Sequence, residues 1–200
     1  MPAHMPMLLR PALAATFALA LLPAHAVPVT LQLRGAGGQP LAGAAVAVEI
    51  KGRTGKATNA KAEMGQRDRQ FTPQLLIVQT GTAVSFPNFD TVRHHVYSFS
   101  PIKVIDIKLY SGTPAEPIVF DKPGVATLGC NIHDRMSAHV VVVDTPVFAR
   151  TDDKGLASFD LPPGEHVVKA WHAGLKSPAL QNLRLEVPAS GGTLTLTLAD

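Results

Sequence analysis

Seventeen prolines and sixteen glycines are spread through the 200 residues, and the apolar residues between them come in short runs. Proline removes a backbone donor and glycine weakens the interior of a regular element, so punctuation this dense excludes long helices. The runs at 29–33, 45–50, 75–78, 83–86, 96–99, 125–128, 138–143, 157–161, 166–171, 183–187 and 193–198 are rich in Val, Ile, Leu, Thr and Phe. Gly, Pro, Asn and Asp bound them, which is the pattern of strands separated by turns. No segment sustains a 3.6-residue apolar period. The expectation is an all-β chain built as sandwiches or a barrel.

Hydrophobic residues make up 46% of the chain, enough for a packed core, and the formal net charge is only +3. No run of Lys or Arg forms a stripe, so nucleic acid is not an expected partner. The N-terminus reads as a secretory signal over residues 1–26. Arg10 supplies its positive charge, Pro11 to Leu22 its apolar stretch, and Ala24-His25-Ala26 a cleavage site, with Val27 the first mature residue. The apolar stretch is shorter than the roughly 20 residues of a membrane span, and no later segment could supply one. A periplasmic or otherwise exported protein is expected. Loss of Arg10 from 18 basic residues leaves 17 against 15 acidic ones, a nearly neutral product. Neutrality implies weak electrostatic steering of partners.

Composition shifts twice along the mature chain. Residues 51–61 (KGRTGKATNAK) are polar and basic and read as a loop, and Thr151-Asp152-Asp153-Lys154-Gly155 reads as a turn after a run of valines. These marks divide the chain into 27–60, 61–146 and 147–200.

Cys130 is the only cysteine, so no internal disulfide can form, and a lone thiol in an oxidising compartment is a hazard unless used or buried. It opens the stretch Cys130-Asn131-Ile132-His133-Asp134-Arg135-Met136, which spaces Cys, His and Met three apart; His94 and His95 lie upstream. One thiolate, two imidazoles and a thioether form the donor set of a blue-copper site. Thiolate favours Cu(I), imidazole suits both oxidation states, and a weak axial thioether does not force a tetragonal Cu(II) geometry. The runs at 125–128 and 138–143 would be strands joined by this loop, with the first His brought from another strand. Taken singly, Cys130 reads as a small buried hydrophobe, His133 as a loop residue and Met136 as a core filler. Zinc is the rival metal, but its structural sites do not use Met, and no Glu stands near the loop as a general base. Asp134, between two candidate ligands, is expected to face solvent or Arg135.

The segments Gly81-Thr82-Ala83-Val84-Ser85-Phe86-Pro87-Asn88, Arg93-His94-His95-Val96 and Gly129 through Met136 resemble the cupredoxins, among them plastocyanin, pseudoazurin and amicyanin. The short loop is most similar to the amicyanin type. The His-His-Val-Tyr-Ser-Phe-Ser run also resembles exported cupredoxins labelled methylamine utilisation proteins, although no residue here points to amine chemistry. The resemblance covers roughly 61–146. It implies a Greek-key β-sandwich with one type 1 copper ion at one end, held by His94, Cys130, His133 and Met136. His95 then stands where such proteins usually carry Asn; strand parity alone leaves His94 and His95 both open as first ligand.

Residues 29–50 and 151–170 resemble a carboxypeptidase regulatory-like (transthyretin-like) sandwich, whose pieces normally lie close in sequence. Separation by about a hundred residues suggests that the copper domain, 61–146, is inserted into a second sandwich formed by 27–60 and 147–200. The simpler alternative makes 27–60 the first cupredoxin strands and 147–200 an independent module. Trp171 is explained by core packing, His139 as structural or exposed, and His172 carries no assigned role. The functional expectation is a monomeric one-electron carrier, not an enzyme, with a transient redox partner such as a cytochrome or a periplasmic dehydrogenase. The alternative is a copper-trafficking protein holding Cu(I) with the same residues.

Overall fold

A computed structural model describes residues 25–114 and 116–200. The signal sequence read over 1–26 lies outside them but for its last two residues. The described residues contain no helix. They form β1 (Val27–Gly35), β2 (Ala45–Glu49), β3 (Lys61–Glu63), β4 (Gly65–Arg67), β5 (Gln70–Thr72) and β6 (Leu75–Gln79). Next come β7 (Thr82–Ser85), β8 (His94–Ser100), β9 (Lys103–Tyr110), β10 (Ile118–Phe120), β11 (Gly124–Gly129) and β12 (Ser137–Val143). The last five are β13 (Phe148–Arg150), β14 (Leu156–Leu161), β15 (Gly164–Trp171), β16 (Gln181–Val187) and β17 (Gly192–Leu198). No helix among these residues is long and apolar enough to cross a membrane.

Each apolar run read from the sequence is a strand. The sequence reading missed β3, β4, β5, β9, β10 and β13. All but β9 are only three residues long, too short for a pattern of alternation to register. Strand β9 was missed because its outward residues, Val104 among them, are apolar as well as polar, which blurs the alternation.

The strands assort into two groups that pair only internally among the described residues. Strands β1, β14 and β17 form one sheet in the order β14-β1-β17, and β2, β13, β15 and β16 form another in the order β13-β2-β15-β16. Strands from 61 to 143 form a five-stranded sheet, β6-β12-β11-β8-β9, a three-stranded sheet, β10-β7-β3, and the small hairpin β4-β5. Pairing of β8 with β11 and of β6 with β12 makes crossover connections in the five-stranded sheet; β12 runs parallel to β6 and antiparallel to β11.

Three apolar layers hold the four larger sheets in a stack. The first lies between the β1 and β2 sheets and contains Leu31, Leu33, Val46, Val48, Val168 and Leu185. The third lies between the five- and three-stranded sheets and contains Phe71, Val84, Phe86, Val96, Leu128 and Val140. The middle layer joins the two sandwiches: Ala45, Ala47 and Trp171 meet Val125, Val141 and Val143. Strand geometry explains how one strand serves two layers. Successive side chains point to opposite faces, so Val46 and Val48 enter the first layer while Ala45 and Ala47 enter the second. Val140 and Val142 face the third layer, and Val141 and Val143 the second. Strands buried on both faces read as continuous apolar runs, as 140–143 does. Small alanines on β2 let the two central sheets approach, and Trp171 fills the edge, its Nε1–H donated to the Ser177 carbonyl at 3.2 Å.

The His139 ring packs on Trp171 with centroids 4.7 Å apart. Burial holds His139 below its ordinary pKa by disfavouring the imidazolium. The unfolded chain therefore takes up this proton at a higher pH than the folded protein does. Stability from this group is complete above about pH 6.5 and declines as pH falls through that value towards the lower folded pKa. Urea midpoints taken at about pH 7.5 and about pH 5.5 should differ less in His139→Gln than in the parent protein. Trp171→Ala should lower stability by about 3–5 kcal/mol in the same assay, the usual cost of emptying a large core site.

Candidate metal centre

Alternation along β11 sets the position of the cysteine. Ala126 and Leu128 face the third apolar layer, and Cys130, two residues on, keeps that parity and is 5% exposed. The chain then leaves the sheet and re-enters it at β12. The loop is closed by a turn in which the Met136 N–H donates to the His133 carbonyl at 2.9 Å. Met136 is buried in the same layer as Cys130. His133 is half-buried beside Ile132, which is 49% exposed, so the loop presents its histidine at the molecular surface.

His94 opens β8 and is fully buried. Its pairing with Tyr110 is followed by a register shift before Val96 pairs with Ile107. As successive residues of a strand, the two histidines face opposite ways. His94 turns to the cysteine. His95 turns to the opposite face, where its Nε2 meets Asp106 Oδ1 at 2.6 Å and its ring begins a row with Tyr97 and Phe99. The geometry thus separates two residues that parity alone left equivalent.

Cys130 Sγ lies 3.9 Å from His94 Nδ1 and 3.7 Å from His133 Nδ1, and the three donor atoms lie within 4.8 Å of one another. Metal bonds of about 2.3 Å to sulfur and about 2.0–2.1 Å to nitrogen, opened to a trigonal angle, separate S from N by about 3.8 Å. Both spacings match that value, so the residues fit a metal ion in a trigonal S,N,N arrangement. Both imidazoles present Nδ1 to the sulfur, which leaves Nε2 free for outer partners. For His94 that partner is Asp90 Oδ2 at 2.8 Å. Asp134 and Arg135, between the loop residues, are both exposed.

A polar network under the site fixes the chain leading to His94. Asn88 is buried; its amide donates to the carbonyls of Val92 and Tyr110, and its Oδ1 accepts the Asp90 N–H at 2.9 Å. Tyr110 Oη takes an N–H of buried Gln66 at 2.6 Å and donates to the Phe86 carbonyl at 2.7 Å. Burial pushes the Tyr110 phenol up to about 12, against the Gln66 hydrogen bond, which lowers it.

Asp90 and the Asn88–Tyr110–Gln66 network were not found from the sequence. The available signal was the Asp90-x-x-x-His94 spacing, which has no meaning without knowing that the intervening chain turns back on itself.

Solved structures similar to this chain include a reduced mutant of amicyanin, 16% identical, covering 48% of this chain and 97% of that chain with a TM-score of 0.38. They also include a novel purple cupredoxin from Nitrosopumilus maritimus, 23% identical, covering 42% of this chain and 99% of that chain with a TM-score of 0.35. No family model and no curated protein matches the chain. Residues 61–143 form a β-sandwich of a five-stranded and a three-stranded sheet, with a His–Cys–His cluster where β11 gives way to β12.

Tyr110→Phe should cost about 1–3 kcal/mol in denaturant unfolding, because the buried Gln66 amide and the Phe86 carbonyl each lose their shorter hydrogen bond. In a pH titration of tyrosinate absorbance, Tyr110 should ionise near 12.

Proposed function

We propose that this chain is an exported type 1 (blue) copper protein that carries single electrons, with one copper ion held by His94, Cys130, His133 and Met136. The observation that carries the reading is the approach of both imidazole Nδ1 atoms to the Cys130 sulfur, at 3.9 and 3.7 Å, in a mostly buried pocket. Bound copper supplies one-electron exchange between Cu(II) and Cu(I). The residues around it are suited to that exchange. A thiolate and two imidazoles held on strand ends and a closed loop need not rearrange when charge changes, and buried His94 and Met136 exclude water. Half-buried His133 offers the shortest route from the centre to a partner at the surface. The partner is a cytochrome or periplasmic dehydrogenase met in a small, transient complex.

We further read 61–146 as a domain inserted into a second sandwich made of 27–60 and 147–200. The internal pairing of the two strand groups supports this, as does the short distance at which the inserted chain enters and leaves, where the Gly55 N–H donates to the Asp144 carbonyl at 2.7 Å.

Copper-loaded protein should show an intense thiolate-to-copper band towards the red end of the visible spectrum. Cys130→Ala should abolish the band, and His95→Gln should leave it in place. A parent protein without the band would sink the proposal. Reversible one-electron voltammetry is expected; loss of copper to a modest chelator with no redox wave would favour copper delivery instead.

A further inference from the structure

The geometry points to Asp90 as a positioning residue that fixes the buried imidazole of His94 in its Nε2–H form and, through that hydrogen bond, lowers the reduction potential of the centre. This rests on the copper reading above.

The carboxylate is held from three directions. Its Oδ2 faces His94 Nε2 at 2.8 Å, and its two oxygens accept the backbone N–H groups of Asp68, at 2.7 Å, and Arg69, at 2.9 Å. Those donors form the two-residue turn of the β4–β5 hairpin, where Arg67 pairs with Gln70. Both turn residues adopt positive φ, 53° and 57°, as a tight hairpin of this type requires. Neither is the glycine that such positions favour, yet the turn aims its two N–H groups at one side chain. The Asp90 N–H is itself tied to Asn88. The Asp90 carboxylate therefore cannot swing away from His94 without also losing both hairpin contacts, and its backbone is fixed by Asn88.

The arrangement has a direct chemical consequence. An imidazole that donates from Nε2 to a carboxylate keeps Nδ1 unprotonated and directed at the metal, and the neighbouring negative charge makes it a stronger donor. A stronger, negatively assisted donor favours Cu(II) over Cu(I). His133 has no carboxylate partner of this kind among the described residues. The buried histidine is thus the tuned one, and the surface histidine is left for contact with a partner.

Two variants and one measurement on the unaltered protein test the role. Asp90→Asn keeps an acceptor oxygen for His94 and removes the charge; Asp90→Ala removes both. The Cu(II)/Cu(I) affinity ratio should fall about tenfold in Asp90→Asn, raising the potential by about 59 mV for a one-electron couple. Cu(II) affinity should fall about 10–100-fold in Asp90→Ala, the usual cost of losing such a partner. Nitrogen-15 NMR of the metal-free parent protein should find the His94 proton on Nε2. A folded, blue Asp90→Asn protein with unchanged potential would overturn the inference while leaving the copper reading intact. A His94 proton on Nδ1 would overturn it as well. If the parent protein gives no thiolate-to-copper band, the copper reading fails instead, and the NMR result decides the Asp90–His94 bond by itself. If neither variant folds, the NMR result on the parent protein decides the inference: a His94 proton on Nε2 supports it and one on Nδ1 overturns it.

Discussion

The molecule depends on a strand that is buried on both faces. Val140, Val141, Val142 and Val143 are each at most 1% exposed. Their alternate side chains belong to two different apolar layers, one inside the sandwich of residues 61–143 and one between the sandwiches. Each such burial is worth roughly 1.5–3 kcal/mol. The same strand begins one residue after Met136, so the metal-site loop is anchored at one end by the part of the structure least able to move. Its other end, Gly129, lies on β11, paired along its whole length with β12.

The second sandwich therefore does more than flank the site. By covering the outer face of β6, β11 and β12 it converts a half-exposed sheet into an interior layer. That layer leaves Tyr97, Phe99 and Val104 on the uncovered part of the same face, with Phe99 80% exposed. It also explains the lowered pKa of His139, which sits where the two sandwiches meet. In the site itself, rigidity and polarity are divided. Buried His94 is tethered through Asp90 to a hairpin turn, whereas His133 stands on the loop at the surface. The one-electron role proposed for this site needs both properties: a frame that does not relax with charge, and an edge that a partner can approach.

Much of this was legible from residue types and spacing. Strands with strong apolar alternation, the polar loop at 51–60 and the turn after Thr151 follow from local chemistry. So does the donor set of the loop, because Cys130, His133 and Met136 lie within seven residues and their chemistry is local. What escaped reading was short, mixed or distant. Strand β9 mixes apolar and polar residues on its outward face. Asp90 acquires its role only because a hairpin some twenty residues away turns its N–H groups towards it. His94 and His95 are adjacent and chemically identical; alternation puts them on opposite faces, and only the packing of the sheets decides that the His94 face carries Cys130 and the His95 face Asp106.

The sequence by itself determined the all-β class, the exclusion of long helices and the candidate ligands, since these depend on backbone preference and donor chemistry carried by neighbouring residues. Tertiary structure alone decided which histidine meets Cys130, which carboxylate holds that histidine, and how the two strand groups stack. Those outcomes depend on contacts between residues far apart in the chain, and on which face of each sheet those contacts cover.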